Sequence, residues 1–358
     1  MFPYPRRGHS GPWRPKGTRR GRRYAATVSD PPAPPQVEAL AAERSRARAS
    51  RDWTRADDLR DRIEAGGWRV EDDGLDYSLR PLQRADIVED GELSYGSLEA
   101  VPSLLHEPAT LEVSVIVVGR EHGATISAQL EALASLQRSG MQVVVVLPRG
   151  LSTVGPCDEV VRTVEPFAPG DAIGAALRRT RGRFIVVLDQ DRILAGDAVT
   201  PLLEGLADAT VAVIGADGLV SAELRRFRPG GPGDVTALRS GCYAFRRADA
   251  VERGPLDGRL GLADSVATWW SLVLRDEGPG LVPRRALAIE LPLGPPPAAG
   301  DSGPQRDRQA RRDSYRIADR FADRRDLAKP EQDVPGLPRD GADQHDQGDG
   351  ADKEGDAA

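Results

Sequence analysis

The sequence predicts an α/β protein whose main domain is a mostly parallel sheet with helices on both faces. Between residues 111 and 218, continuous apolar runs, which are typical of strands buried on both faces, alternate with segments of helical periodicity. The chain has only two cysteines in 358 residues, which excludes a disulfide scaffold and a cysteine-rich zinc site. No apolar run approaches the roughly 18 residues of a membrane-spanning helix.

The main domain is expected over residues 111–295. Its predicted strands are five apolar runs: VSVIVVG (113–119), MQVVVVLP (141–148), DEVVRTVE (158–165), RFIVVLDQD (183–191) and TVAVIGADG (210–218). Helical segments between them are predicted at 124–138, 170–182 and 198–207. Ligands of such sheets bind at the carboxyl ends of the strands, so Asp189 and Asp191, which end the fourth run, mark the candidate site.

A small module is expected ahead of this domain, over residues 36–82. Apolar residues at helical spacing predict two short helices, the second with Asp52 as its N-cap and Trp53 on its buried face. A pair of glycines ends that helix, and Asp73-Gly74 marks the turn of a following strand pair. The fold is therefore expected to begin with a helical hairpin and a β-hairpin.

The remaining segments lack the apolar periodicity of a core. Residues 1–35, rich in Pro, Gly and Arg, and the acidic residues 329–358 are expected to be disordered. Residues 83–110 and 296–303 are expected as linkers, and residues 304–328 as an Arg-rich helix.

The N-terminus is strongly basic, with eight Arg or Lys residues and no acid within residues 1–24. Such a segment can make weak contacts with RNA or with an acidic membrane surface. The alternative is a solvated arm, because only three of the chain's 49 basic residues are lysines, an imbalance that indicates a general codon bias. The first residues have no apolar core of a secretory signal, so a cytoplasmic protein is expected.

The motif VLDQD is the first candidate for chemistry. Two carboxylates spaced i, i+2 after a buried strand, here Asp189 and Asp191, can hold Mg²⁺ or Mn²⁺, which prefer oxygen ligands and share them with substrate phosphates. The same pattern also fits two turn or cap residues, and that alternative stays open.

Residues 112–292 resemble a family 2 glycosyltransferase of the GT-A fold. The run VSVIVVGREHGATISAQLEAL stands at the family's opening strand and helix, and VVLDQDRIL stands at its metal-binding Asp-x-Asp. The run RSGCYAFRRADAVERGPLDGRLGLADSVATWWSLVLRDEG resembles its second half. The resemblance implies a nucleotide-diphospho-sugar donor, an acceptor hydroxyl, a divalent cation and transfer with inversion.

The resemblance also implies roles for single residues. Asp191 would be the main metal ligand, and Asp189 would face the ribose, the diphosphate and the metal. Gly241 would let the acceptor approach the backbone closely, and Asp264 would be the general base. An alternative for Asp264 is the N-cap of a helix over 265–275.

Several positions depart from the family's pattern. Gly119-Arg120-Glu121 stands where the family has Thr/Ser-Tyr-Asn, and Glu121 is the candidate to hold the base or ribose. Arg149 and Ala263 stand where the family has acids. The alternative function is therefore a non-catalytic binding protein on the same fold.

Residues 38–81 resemble the extreme C-terminal piece of cysteinyl-tRNA synthetase. The shared order is eR..AR...DW..AD.lRd.i...G..veD, which covers Arg44, Asp52, Trp53, Gly67 and Asp72. The chain has no nucleotide signature of a synthetase and no zinc-ligand set. The resemblance implies a weak RNA contact and a third function, an RNA-binding accessory, and the alternative is a docking or spacer unit.

Overall fold

In the computed structural model, residues 32–329 are described, except for 74–75, 83, 98–99, 120–122, 152–154, 165–167, 190–191, 255, 257–259 and 295–302. The expected disorder of the two ends thus falls almost wholly outside the described residues. The chain divides into two units, residues 1–82 and residues 83–358, and each is described by itself.

The N-terminal unit contains the predicted helical hairpin and β-hairpin. Its elements are α1 (Pro35–Ala49), α2 (Trp53–Ala65), β1 (Trp68–Asp73) and β2 (Asp76–Pro81). The side chain of Asp52 accepts a hydrogen bond from the Arg55 backbone N–H at 3.1 Å, so the predicted N-cap is confirmed.

A partly buried ion pair ties α1 to β1 in this unit. Arg44 donates to both carboxylate oxygens of Asp72, at 2.7 and 3.0 Å, and Arg44 itself is buried. Trp53, in contrast, is 58 % exposed, so its expected place in the core is wrong. It is the first residue of α2, one turn before the buried stripe of Ala56, Leu59 and Ile63 begins.

The second unit is built on a ten-stranded sheet with helices between its strands. Its first elements are β3 (Ile87–Glu89), β4 (Glu92–Tyr95), β5 (Leu111–Val118), α3 (Gly123–Ser135), β6 (Met141–Pro148), β7 (Glu159–Thr163), α4 (Pro169–Leu177), β8 (Gly182–Asp189), α5 (Val199–Gly205) and β9 (Val211–Gly215). The later elements are β10 (Gly218–Val220), β11 (Arg228–Gly230), β12 (Gly233–Val235), β13 (Ala237–Leu238), β14 (Cys242–Arg246), α6 (Arg247–Arg253), α7 (Ala263–Arg275), β15 (Arg285–Ala288) and α8 (Pro304–Arg320). A short 3₁₀ turn, Arg325–Leu327, follows α8.

The large sheet has the strand order β12-β15-β9-β14-β8-β5-β6-β7-β4-β3. Strands β8, β5, β6, β7 and β4 run parallel to one another, and so do β15 and β9. Strand β14 lies antiparallel between β8 and β9. A separate three-stranded sheet has the order β11-β10-β13.

Helices cover both faces of this sheet, as predicted. Side chains alternate along β5, so Ile116 packs on the face covered by α4 and α7, and Val115 packs on the face covered by α3 and α5. The two faces carry separate apolar clusters, one around Trp270 and the other around Leu130. No helix within the described ranges has the length and apolar character needed to cross a membrane.

Residues 83–110 differ from the expected linker. Strands β3 and β4 form a hairpin, and β4 pairs in parallel with β7 at the edge of the large sheet. The acids that indicated a linker pair with arginines of neighbouring strands: Glu89 lies 2.9 Å from Arg149, and Glu92 lies 2.8 Å from Arg162. The two arginines lie 60 and 70 residues further along the chain than their glutamates.

Candidate functional site at the carboxyl edge of the sheet

The candidate site lies where β5 and β8 end, beside the start of α7. Asp189 is the last residue of β8 and lies opposite Val118 of β5. Its backbone N–H donates to the carbonyl of Gly241 at 2.8 Å. A small cavity opens here, and its lining residues are Val118, Pro169, Ile173, Val187, Leu188, Asp189, Ser240, Gly241, Tyr243 and Ala263. Two predicted site residues, Asp189 and Gly241, thus share one cavity with the first residue of α7.

Gln129 of α3 hydrogen-bonds the two described residues, Asp189 and Arg192, that flank the rest of the Asp-x-Asp motif. Its Nε2 donates to the carbonyl of Asp189 at 2.6 Å and to the carbonyl of Arg192 at 2.7 Å. Asp191 lies between these two residues, outside the described ranges. Gln129 is fully buried. The only feature of the sequence that could have indicated its role is an amide on the same helix as the apolar residues Ile126 and Leu130.

The backbone conformation at position 241 favours glycine. Its φ of +134° lies in the region that favours glycine. A Cβ at this position would also lie 3.2 Å from Nε of Arg192 and 3.4 Å from the carboxylate of Asp217. Arg192 and Asp217 form an ion pair there, so the backbone of Gly241 passes directly over a charged pair that the sequence did not indicate.

Asp264 lies in the first turn of α7. Helix α7 starts at Ala263 with Leu262 in the cap position, so the alternative of Asp264 as N-cap is wrong. Its Oδ1 accepts hydrogen bonds from the hydroxyl of Ser240 and, at 3.2 Å, from the Ser240 backbone N–H. Its Oδ2 lies 3.7 Å from Arg239, and the side chain is 40 % exposed. A carboxylate at this end of the helix is also favoured by the helix dipole.

A residue of α8 holds the chain just before α7, which itself has no side-chain N-cap. The fully buried Asp313 accepts from the backbone N–H groups of Gly261, at 3.1 Å, and Leu262, at 3.0 Å. Gln309 donates to the same carboxylate at 2.7 Å. The predicted Arg-rich helix therefore holds the chain immediately before Asp264, a contact that sequence periodicity does not reveal.

Several other predicted positions can now be placed. Glu121, like Asp191, lies outside the described ranges. Among the residues that the structure describes, no three His, Cys, Asp or Glu side chains group as a metal site. Arg149, at the end of β6, pairs with Glu89 of the β3–β4 hairpin, which gives this departure from the family's acid a structural partner.

Two buried side chains near the site stay protonated. Burial raises the pKa of the Cys242 thiol to about 12, so this residue is core packing, as expected, and not a nucleophile. Burial, and to a lesser degree the charge of Asp189, raises the pKa of the Tyr243 phenol well above its ordinary value.

The N-terminal resemblance is confirmed by sequence comparison. Residues 30–77 match the family described as the cysteinyl-tRNA ligase anticodon binding domain. Over 39 residues the chain is 56 % identical to cysteine–tRNA ligase 1 of Burkholderia lata, a match that covers 11 % of this chain and 8 % of that enzyme. The chain thus matches far less than two thirds of this relative's length.

Comparison with solved structures gives more distant likenesses. The mannosyltransferase PcManGT from Pyrobaculum calidifontis, in complex with GDP-Man and Mn²⁺, is similar at a TM-score of 0.42 and 17 % identity, over 81 % of this chain and 79 % of that one. GalNAc-T7 with UDP, GalNAc and Mn²⁺ is similar at a TM-score of 0.39 and 12 % identity, over 57 % of this chain and 45 % of that one. TarS of S. aureus is similar at a TM-score of 0.36 and 14 % identity, over 51 % of this chain and 36 % of that one.

Proposed function

We propose that the protein transfers a sugar from a nucleotide-diphospho-sugar to an acceptor hydroxyl, with the help of a divalent cation and with inversion at the anomeric carbon. One observation carries the proposal: Asp189, Ser240 and Gly241 line one cavity at the carboxyl edge of the sheet, and Ser240 donates hydrogen bonds to Asp264. The residues at this edge, and not the overall likeness to solved structures, support the activity.

The donor set suits a hard cation. Asp189 and Asp191 would hold Mg²⁺ or Mn²⁺ through carboxylate oxygens and leave coordination positions for the diphosphate. Gln129 supports this assignment because its two hydrogen bonds hold Asp189 and Arg192, which flank Asp191 in the chain. Such a cation, when bound, offsets the charge that develops on the leaving diphosphate. Glu121 is assigned to the ribose or base of the donor.

Asp264 is assigned as the general base. Ser240 fixes its Oδ1, while the nearest described cation to Oδ2 is Arg239, at 3.7 Å. Oδ2 would accept the proton of the acceptor hydroxyl. The acceptor oxygen then bonds to the anomeric carbon as the bond from that carbon to the diphosphate breaks on the opposite side.

A second candidate function is RNA contact through the N-terminal unit. Trp53 is exposed at the start of α2, and Arg51 and Arg55 are exposed on either side of it. An aromatic ring with flanking arginines can stack on an unpaired base. Loss of RNA retention in a Trp53→Ala variant, and retention in a Trp68→Phe variant, would favour this function.

A binding titration tests the leading proposal. The full chain is titrated with UDP-glucose, GDP-mannose and UDP-N-acetylglucosamine, each with and without Mn²⁺, and its melting temperature is followed. A ligand at 100 times its Kd stabilises the folded state by about 2.7 kcal/mol. The expected result is a Mn²⁺-dependent rise with at least one donor that disappears in Asp191→Ala. If Asp191→Ala binds as the parent does, the assigned metal site is wrong, and if no donor binds the parent, the function is wrong.

A further inference from the structure

The outward face of helix α8 carries three arginines and an exposed aromatic ring. Arg308, Arg311, Arg312 and Tyr315 stand at i, i+3, i+4 and i+7, a spacing that places all four on one face of a helix. The three arginines are exposed, and Tyr315 is 72 % exposed. These four residues are called the α8 strip below, and nothing in the described part of the chain covers its ring.

The guanidinium groups of the α8 strip are available to an external anion. None of the three forms an ion pair or a hydrogen bond with another of the described residues. Helix α8 contains six arginines and three aspartates, and one of these aspartates, Asp313, is buried just before α7. The exposed surface of α8 is therefore strongly positive, and its arginines have free hydrogen-bond donors.

A loop beside α8 adds two more exposed arginines. Leu224 and Phe227 belong to one apolar cluster with Ile317 of α8, so the loop between β10 and β11 lies alongside this helix. Between these two apolar residues, Arg225 and Arg226 are exposed, and neither pairs with another described residue. Leu224 has a φ of +57°, a strained backbone conformation for leucine, which is kept only where the surroundings enforce it. The fold thus holds both arginines at the surface next to α8.

Guanidinium groups with a neighbouring ring suit a single-stranded nucleic acid. Arginine donates paired hydrogen bonds to phosphate oxygens, and an exposed ring stacks on an unpaired base of any type. A membrane surface is disfavoured, because a helix in the interface buries a face of large apolar side chains, whereas Ile317 of α8 is buried inside the protein. An acidic protein segment would pair with the arginines but offers no base to the ring of Tyr315.

We propose that the α8 strip, together with Arg225 and Arg226, binds the backbone of a single-stranded nucleic acid while one of its bases stacks on Tyr315. Such binding does not depend on the base sequence, because phosphates and the flat faces of bases are common to all sequences. The inference goes beyond sugar transfer and does not depend on it. It places a nucleic-acid contact in the second unit, in addition to the contact considered for the N-terminal unit.

The test measures binding of a fluorescent oligouridine of about 20 nucleotides to the full chain, by anisotropy over a range of salt concentrations. In the double variant Arg311→Gln, Arg312→Gln, affinity is expected to fall about tenfold at about 0.1 M salt. The slope of log K against log salt is expected to become shallower by about 1 to 1.5, because each phosphate contact of a single strand contributes about 0.7. In Tyr315→Leu, affinity is expected to fall at least about fivefold at every salt concentration with an unchanged slope, because stacking releases no counterions.

Cross-linking locates the contact. The same oligonucleotide carrying 4-thiouridine is irradiated with the parent, and the expected adduct is on the peptide that contains Tyr315. Adducts confined to residues 1–82 would overturn the inference.

The matched control is Arg181→Gln, Arg183→Gln, which removes two exposed arginines around the start of β8. Its affinity is expected to stay within about twofold of the parent, and all variants are expected to keep the parent's melting temperature, because the changed side chains are exposed. No binding of oligouridine by the full chain, or equal losses in the two double variants, would overturn the inference. A loss in Arg311→Gln, Arg312→Gln with no effect of Tyr315→Leu would overturn it in favour of an acidic protein partner. None of these outcomes bears on donor binding, which is measured separately.

Discussion

Replacement of Gln129 by methionine is expected to loosen the turn between Asp189 and Arg192. Methionine has a similar length and fills the same buried space, so little stability is lost through an unfilled cavity. The carbonyl of Asp189 keeps the Arg192 backbone N–H as a partner at 3.0 Å, but the carbonyl of Arg192 loses the donor that Gln129 supplies. One unsatisfied buried carbonyl costs about 1–3 kcal/mol.

Two smaller effects partly offset each other in this estimate. The Asp189 carbonyl loses the second of its two hydrogen bonds, which adds up to ~1 kcal/mol. The Oε1 atom of Gln129 is itself buried with no hydrogen-bond partner among the described residues, and its removal returns part of that cost. The net loss expected for Gln129→Met is therefore about 1–3 kcal/mol, or a few degrees in melting temperature for a domain of this size.

Denaturation by urea and by heat measures this loss, with Glu131→Met as the control on the exposed face of the same helix. The control is expected to stay within about 0.5 kcal/mol of the parent. Mn²⁺-dependent binding of a nucleoside diphosphate is expected to weaken in Gln129→Met and not in Glu131→Met. If Gln129→Met is as stable as the parent and binds as tightly, Gln129 does not hold the turn.

Three further outcomes follow from the structure. Asp264→Asn keeps an oxygen for Ser240, so transfer is expected to fall by ~10²–10⁴-fold while the free energy of unfolding changes by less than about 1 kcal/mol, and transfer assays with melting curves check both. Asp313→Ala and Ile317→Ala are both expected to lower the free energy of unfolding by about 3 kcal/mol, and with it the melting temperature. Transfer should fall further in Asp313→Ala, because only that change frees the backbone N–H groups ahead of α7. The same loss of transfer in both variants at equal stability would contradict this. The hydrogen bond from Arg44 lowers the pKa of the Asp72 carboxyl below 3.8 in the folded protein. The ionised carboxylate therefore stabilises the fold above pH 3.8, and this contribution is lost as the pH falls through the lowered pKa. In Asp72→Asn, the free energy of unfolding should depend less steeply on pH in this acidic range.

The sequence predicted the layers of the fold because a strand buried on both faces has an uninterrupted run of apolar residues. Runs such as MQVVVVLP have no polar alternation, and only a doubly covered parallel strand accounts for them. Strands β3 and β4 have no such apolar run, because their side chains are largely exposed and their acids pair with Arg149 and Arg162. An edge hairpin stabilised by long-range ion pairs is not visible in local periodicity.

The same difference between local and long-range contacts applies to the site. Asp189 could be chosen because it ends a buried strand, which is a local feature, whereas Gly241 and Asp264 were chosen only through the family resemblance. Gln129 and Asp313 act through contacts with residues about 60 and 50 positions away in the chain, and no pattern at their own positions marks them. The N-cap hypothesis for Asp264 failed because α7 begins one residue before Asp264, at Ala263, with Leu262 in the cap position.

The central claim is that a cation and a diphosphate bind at the carboxyl edge of β8. Crystals grown with Mn²⁺ and the nucleoside diphosphate of the preferred donor would locate the cation by anomalous diffraction. The expected result is a manganese peak at coordination distance, about 2–2.6 Å, from a carboxylate oxygen of Asp191, with the diphosphate between it and the cavity lined by Asp189 and Gly241. A manganese peak elsewhere, or a diphosphate bound away from this edge, would contradict the account.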